Sequence, residues 1–158
     1  MSIPVIAIFD VGKTNKKLFL FDEDYIIQYE SSHHIAEILD EDGDPCDDIN
    51  AITKWISLEL EAILTNKSFT VKAINVAAYG ASFVHLDRNS NVLTPLYNYL
   101  KPFPKTLQDK FYKTYGGETL VSLQSASPVL GSLNSGLQLY RLKHEKPALF
   151  NTITCSLH

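Results

Sequence analysis

The stretch VIAIFDVGKTNKKLFLF, residues 5–21, decides how the rest of the chain is organised. Its first run, residues 5–9, is almost continuously apolar, as a strand covered on both faces should be, and its last run, residues 18–21, is equally apolar. Gly12 lies between the two runs and can adopt backbone angles that are closed to other residues. Donors for a polyphosphate come from backbone N–H groups and from the side chains of Lys13, Thr14, Asn15 and Lys17. The stretch predicts a β-hairpin shaped to face a phosphate.

Asp10 ends the first strand, at the mouth of this polar loop. Because Mg²⁺ usually keeps several waters and takes only one or two carboxylates, a single acid at this place predicts a site for a divalent cation or its hydration shell. The alternative is an ordinary tight hairpin with a lysine-rich turn. The motif alone does not separate these two interpretations.

The hairpin resembles the first phosphate motif of the sugar kinase, Hsp70 and actin superfamily. In that motif an acid, a spacer and a glycine precede a Thr/Ser-rich turn and a basic residue. The matching residues here are Asp10, Gly12, Thr14, Asn15 and Lys17. The resemblance implies that these residues, with Lys13, bind ATP as the cofactor and that Asp10 serves the Mg²⁺ ion.

Composition bounds the class of protein. A chain of 158 residues with 45% hydrophobic residues is long and apolar enough for one globular domain with a core. A net charge of -4 gives no basic field, which argues against nucleic acid or an anionic membrane as a partner. The first residues have no basic n-region and their apolar run is too short for a signal peptide, so we expect none, and no apolar run reaches about 20 residues. Cys46 and Cys155 have no metal-site spacing, so we interpret them as reduced thiols of a cytoplasmic protein.

The next elements extend the hairpin into a sheet. Residues 25–30 predict a third antiparallel strand, and residues 71–78 predict a further strand. Residues 40–48 carry six acids with a Gly and a Pro, which indicates a solvated loop and a helix entry; an EF-hand would need a closing Glu. Asp47 or Asp48 can cap the helix that follows, to about Thr65. Its apolar face comprises Ile49, Ile52, Ile56, Leu60 and Ile63, with Trp55 beside them in the core.

Residues 78–100, AYGASFVHLDRNSNVLTPLYNYL, predict a second hairpin, with arms at residues 83–86 and 92–96 and a turn at residues 87–91. This segment resembles the FGGY carbohydrate kinases, in particular rhamnulokinase-like and fuculokinase-like members, whose TWGVD(F/Y) segment aligns with AYGASF. Tyr79 then stands for the tryptophan, Gly80 for the glycine and Ser82 for an acid that contacts sugar hydroxyls.

The resemblance implies that Tyr79, Gly80 and Ser82 contact the substrate. Asn98 joins them because Tyr97-Asn98-Tyr99 replaces the family's aromatic-Arg-Asp or Trp-Asp pattern. A serine and a carboxylate do not select the same sugar, so the identity of the sugar stays open. In the alternative interpretation the tyrosines are half-buried aromatics of the core or the cleft wall.

The last third of the chain predicts two helices. Residues 105–115 form the first, which Gly116-Gly117 ends, and residues 132–144 form the second. The tail after the second helix is similar to the LKxxxPxLF pattern of FGGY kinases. The matching residues are Leu142, Lys143, Pro147, Leu149 and Phe150. We expect His85, the one histidine near the predicted site, to be structural.

Together these matches identify residues 1–158 as similar to the N-terminal FGGY kinase domain. The resemblance implies an α/β domain of the ribonuclease-H-like, actin-like ATPase type, with a mixed sheet and helices packed on it. It implies a truncated chain whose parent transfers the γ-phosphoryl of ATP to a sugar or polyol hydroxyl. The second, adenosine-binding domain of the same chain and the general base would lie beyond residue 158, so the fragment alone is expected to be inactive.

Two questions stay open at this stage. The chain could instead be a non-catalytic actin-like regulatory or binding domain, and the sequence leaves a homodimer open. If the kinase interpretation holds, the turn at residues 12–15 and the turn at residues 80–82 follow neighbouring strands. Both turns are then expected at one sheet edge, where open α/β sheets bind ligands.

Overall fold

A computed structural model of the chain describes residues 2–158 and divides them into two compact units. The first unit runs to Ile38 and resumes over Asp47–Gly80, and the second comprises Leu39–Cys46 and Ala81–His158. The strands, numbered along the chain, are β1 (Ile3–Val11), β2 (Lys16–Phe21), β3 (Ile27–His33), β4 (Ile38–Leu39), β5 (Pro45–Asp47), β6 (Phe69–Ala78), β7 (Val84–Leu86), β8 (Leu96–Tyr97) and β9 (Cys155–Leu157). The helices are α1 (Ile49–Thr65), α2 (Lys105–Thr114), α3 (Glu118–Ser125), α4 (Ser135–Glu145) and α5 (Pro147–Phe150), with a 3₁₀ turn at Gly131–Leu133. None of the helices within residues 2–158 has the length and apolar composition that a membrane span requires.

The first unit is built on a four-stranded sheet in the order β3-β2-β1-β6. Strands β1, β2 and β3 form an antiparallel meander, and β6 adds to β1 in parallel. In this register Asp10 lies opposite Lys17 on one side and Ala77 on the other. The mixed sheet predicted from the sequence is therefore confirmed.

One face of this sheet forms the core of the first unit. Strand alternation places Ala7, Phe9, Leu18 and Leu20 on it, and each is at most 1% exposed. The edge of the Trp55 ring on α1 packs against Phe9, with 5.7 Å between the ring centroids. Full burial of a side chain of this size contributes about 1.5–3 kcal/mol, so the helix is fixed on the sheet mainly by such contacts.

Helix α1 begins where the sequence predicts. The Asp48 carboxylate accepts hydrogen bonds from the backbone N–H groups of Asn50 and Ala51, both at 3.0 Å, so Asp48 and not Asp47 is the cap. Strand β3 begins at Ile27 rather than at Tyr25. The reason is that the Asp22 carboxylate holds the N–H groups of Asp24 and Ile26, which prolongs the preceding turn.

The predicted second hairpin is only partly correct. The turn at residues 87–91 forms, because the Asp87 carboxylate accepts from the N–H groups of Asn89 and Asn91. Residues 92–96 do not form the second arm, since only Val92 bridges to Leu86. Strand β7 instead pairs antiparallel with β9, and β8 belongs to the sheet β4-β5-β8. His85 is 1% exposed and its Nδ1 lies 2.9 Å from the Ser156 hydroxyl, which agrees with a structural role.

The helices of the second unit follow the predicted pattern with one addition. Helix α2 ends before Gly116 and Gly117, which both have positive φ angles (95° and 97°) that glycine tolerates best. Helix α3 follows at once and was not predicted. Helix α4 packs its Tyr140 ring against Phe111 of α2, with 5.0 Å between the ring centroids.

The prediction of a solvated loop at residues 40–48 is only partly correct: Glu41, Asp42 and Gly43 are exposed, but Asp40 and Asp47 are buried and Pro45–Asp47 form β5. The Lys101 side chain is 4% exposed and its ammonium binds three carboxylates, those of Asp40, Asp42 (2.8 Å) and Asp44 (3.1 Å). Asp40 also accepts from the N–H groups of Asp42 and Asp44, which closes the loop on itself. Burial raises the pKa of Asp40, but its bonds to Lys101 and to the loop outweigh burial and hold this pKa below 3.8.

We predict that Lys101→Met destabilises the chain by about 3 kcal/mol, because it leaves the buried Asp40 carboxylate without its cation. The matched control is Lys105→Met, which removes the exposed i,i+4 pair with Asp109 and should change stability by less than about 1 kcal/mol. Urea unfolding followed by circular dichroism measures both. Equal losses in the two variants would contradict the structural role of Lys101.

Candidate functional site

The turn that joins β1 to β2 closes tightly on itself. A Cβ atom built on Gly12 would lie 2.7 Å from the carbonyl oxygen of Asn15, which is closer than Cβ contacts in real proteins. Only glycine therefore fits without a shift of the turn. Thr14 and Asn15 are exposed at its tip, so their side chains and the neighbouring N–H groups can face a ligand.

Asp10 lies one residue before the end of β1, opposite Lys17, and is half-buried beside β6. Its carboxylate forms no hydrogen bond or ion pair with any side chain of residues 2–158. It therefore has its lone pairs available for a ligand. A single available carboxylate next to a polar turn is a donor set that suits a hydrated Mg²⁺ ion.

The lysines near the turn are already paired with carboxylates. The Lys13 ammonium binds Asp47 at 2.8 Å and also contacts Glu37. Lys17, on β2, binds Glu30 of β3, with 2.9 Å between its Nζ and the carboxylate Oε1. These pairs reduce the net positive charge that the turn offers, so the lysines neutralise a phosphate best by exchanging partners.

Asp47, which the sequence indicated only as a possible helix cap, is the centre of this site. It is 3% exposed and accepts hydrogen bonds from Lys13 (2.8 Å), Lys16 (3.2 Å) and the Tyr79 hydroxyl (2.7 Å). Burial raises the pKa of the Asp47 carboxyl, but the bonds from Lys13, Tyr79 and Lys16 outweigh burial and hold this pKa below 3.8. For Lys13, burial lowers the pKa, but the bonds to Asp47 and Glu37 outweigh it and raise the pKa above 10.5.

Tyr79 stands beside the phosphate turn in the first unit. Its backbone N–H donates to the carbonyl of Val11 at 3.2 Å, and its hydroxyl donates to Asp47. The Lys13 ammonium lies 6.0 Å from the centre of its ring. Gly80, which follows, is exposed, and a Cβ added to it would meet no atom within 4 Å.

Ser82 and Asn98 belong to the second unit, and both are engaged in local structure. Ser82 is 4% exposed and its hydroxyl donates to the carbonyl of Tyr97 at 2.9 Å. Asn98 is 7% exposed and its side-chain oxygen accepts from the N–H of Leu100 at 2.8 Å. Their contact with a substrate stays a prediction.

Asn98 also lines a concavity of the second unit. Its polar wall carries both signs of charge: Glu41, Asp42, Lys101, Arg141, Glu145 and Lys146. Burial and the nearby Asp40 carboxylate raise the pKa of Tyr97, in the same wall, to about 12. The Tyr97 hydroxyl therefore stays protonated at neutral pH and can serve as a hydrogen-bond donor.

The Asp47 cluster predicts a defined dependence of stability on pH. A carboxyl whose pKa is lowered by folding stabilises the fold above its unfolded pKa, and this contribution is lost as the pH falls through the folded pKa, below 3.8. Asp47→Asn should therefore cost about 3 kcal/mol at pH 7 and progressively less below pH 3.8. Glu37→Gln, at the exposed end of the cluster, should cost less than about 1 kcal/mol. Urea unfolding at a series of pH values measures this, and a constant difference across the acid range would contradict it.

The turn geometry gives a second prediction. Gly12→Ala should destabilise the chain by about 1–3 kcal/mol, because the added Cβ pushes against a backbone oxygen that cannot rotate away. A Cβ added at Gly80 would have open space around it, so Gly80→Ala should change stability by less than about 0.5 kcal/mol. Thermal and urea unfolding of the two variants provide the test, and similar losses would show that the turn tolerates a side chain.

No protein-family model matches the sequence, and none of the curated proteins matches it. The fold, however, is shared with solved kinases. A gluconate kinase from Lactobacillus acidophilus aligns with a TM-score of 0.82 and 20% identity over 99% of this chain and 31% of that kinase. A ligand-bound xylulose kinase from the same organism gives 0.80 and 19% over 98% and 31%, and a glycerol kinase from Plasmodium falciparum with ADP gives 0.74 and 20% over 95% and 30%.

The chain thus spans less than a third of the length of these kinases. At such identities the likeness concerns the fold, and the fold is matched over nearly all of this chain. The fold expected from the sequence resemblance is confirmed: the chain has the fold of one part of these carbohydrate kinases.

Proposed function

We propose that this chain supplies the phosphate end and part of the sugar end of an ATP-dependent kinase that acts on a hydroxyl of a sugar or polyol. The observation that carries the proposal is Asp10, whose carboxylate is available for a ligand at the mouth of a turn that requires glycine. Tyr79, predicted for the sugar side, lies against the same turn. An acid for the metal, a turn for the phosphates and an aromatic for the acceptor are thereby combined in the first unit.

The phosphate end consists of Asp10, Gly12, Lys13, Thr14, Asn15 and Lys17. The turn can offer backbone N–H groups and the exposed side chains of Thr14 and Asn15 to phosphate oxygens. Phosphoryl transfer depends on positioning and on neutralising negative charge, and bound Mg²⁺ supplies much of that neutralisation. In our proposal Asp10 orients the hydration shell of this ion, while Lys13 and Lys17 leave carboxylate partners to meet the phosphates.

The sugar end begins at Tyr79 and Gly80. The Tyr79 hydroxyl donates to Asp47, which places the ring at the end of β6, where a sugar could lie against it. Ser82 and Asn98, in the second unit, are largely buried, so in our proposal they act through the backbone that they hold. Which sugar or polyol is bound depends on residues that complete the site.

The rest of the enzyme belongs to other parts of a longer chain. The kinases that share this fold are about three times as long as this chain, which supports a second domain that contributes the adenosine site and the general base. The chain alone is therefore expected to bind phosphates without measurable turnover.

Cys46 and Cys155 are free thiols, which supports the cytoplasmic location predicted from the sequence.

The test of the proposal is binding of tripolyphosphate to the chain, measured by calorimetry with and without Mg²⁺. We expect Mg²⁺ to tighten binding, and we expect Asp10→Asn to remove that gain, with a loss of about tenfold or more. Asp24→Asn makes the same change of charge in the exposed turn at the other end of β2 and should bind like the wild type. Equal binding by the wild type and Asp10→Asn would contradict the assignment of Asp10 to the metal.

A further inference from the structure

Four charged side chains beside the phosphate turn have formal charges that cancel. Lys16 and Asp47 form the buried half of this cluster, with side chains 0% and 3% exposed. Lys13 and Glu37 form the outer half, with side chains 19% and 42% exposed. As long as these pairs hold, the cluster offers an approaching anion no net positive charge.

Lys13 is the member that can change partner at low cost. Its contact with Glu37 lies toward solvent, where an ion pair contributes little. Its contact with Asp47 can break without stranding a buried charge, because Asp47 keeps the Lys16 ammonium on Oδ1 and the Tyr79 hydroxyl on Oδ2. A phosphate at the turn can therefore recruit Lys13.

When Lys13 leaves Asp47, the hydrogen bond between Asp47 and Tyr79 changes. The Lys13 ammonium and the Tyr79 hydroxyl donate to the same oxygen, Asp47 Oδ2, at 2.8 Å and 2.7 Å. When one of two donors leaves a shared acceptor in a buried network, the remaining hydrogen bond strengthens. The Tyr79 side chain is then held more firmly, in the position where we place the sugar.

We propose that Asp47 is a positioning residue that couples the two ends of the site: capture of Lys13 by a phosphate frees Asp47 Oδ2 and thereby fixes Tyr79 for the sugar. This inference rests on the proposed function, since it assumes that phosphates bind at the turn. The inference adds a coupling to the proposed function, because filling the phosphate end prepares the sugar end. By thermodynamic reciprocity, a sugar that requires the fixed Tyr79 also favours the phosphate.

The experiment follows both donors by NMR while magnesium tripolyphosphate is added to the chain. Lysine ¹⁵Nζ and tyrosine ¹³Cζ signals report on Lys13 and Tyr79, and Lys13→Met and Tyr79→Phe assign them. In the wild type we expect both signals to shift with the same apparent Kd. In Asp47→Asn the Lys13 signal should still shift, whereas the response of Tyr79 should be lost. A purely structural role of Asp47 would not separate the two signals in this way.

If Asp47→Asn fails to fold, Lys13→Met decides the question, because in this variant Asp47 keeps Lys16 and Tyr79 as partners. In this variant the Tyr79 signal should not respond, while Lys54→Met, on the exposed side of α1, should retain both responses. A Tyr79 shift that persists in either Asp47→Asn or Lys13→Met overturns the coupling. A wild type in which Lys13 shifts and Tyr79 does not overturns the coupling alone. A wild type in which Lys13 does not shift overturns the proposed phosphate site as well.

Discussion

A carboxylate with almost no access to water needs hydrogen-bond donors and cations from the protein itself. Asp47 is such a carboxylate, and it lies at the end of the main sheet. Its partners come from three segments: Lys13 in the turn, Lys16 on β2 and Tyr79 after β6. The geometry of the phosphate turn and the direction in which the chain leaves β6 are thus tied to one side chain. Because Asp48, the next residue, caps α1, the helix start is tied to the same point.

The parts of the fold that could be predicted are those whose signals are local. Strands β1 and β2 show alternating or continuous apolar residues, and α1 has a cap and an apolar face within its own sequence. The pairing of β7 with β9 joins residues such as His85 and Ser156, which are far apart in the chain, and no local pattern indicates it. The same holds for Lys101, whose acidic partners are about sixty residues away.

The candidate site divides along the same line. Asp10 and Gly12 follow from a short motif, and both lie in the predicted hairpin, although Gly12 is required by its close approach to Asn15 and not by a positive φ angle. Asp47 was hidden in a run of acids, although one signal was present: Lys16 falls on the same face of β2 as Leu18 and Leu20. A lysine on a buried face needs a buried acid, so the alternation of β2 already implied a partner such as Asp47.

The loop at residues 40–44 shows how a protein can dispense with a metal ion. Three aspartates bring one carboxylate oxygen each within 4.8 Å of one another, an arrangement that could hold a cation. The Lys101 ammonium occupies their centre and neutralises them from within the same molecule. A counter-ion that is covalently part of the chain cannot be chelated, diluted or exchanged, so the charge that Lys101 supplies to this loop does not vary with the calcium or magnesium concentration.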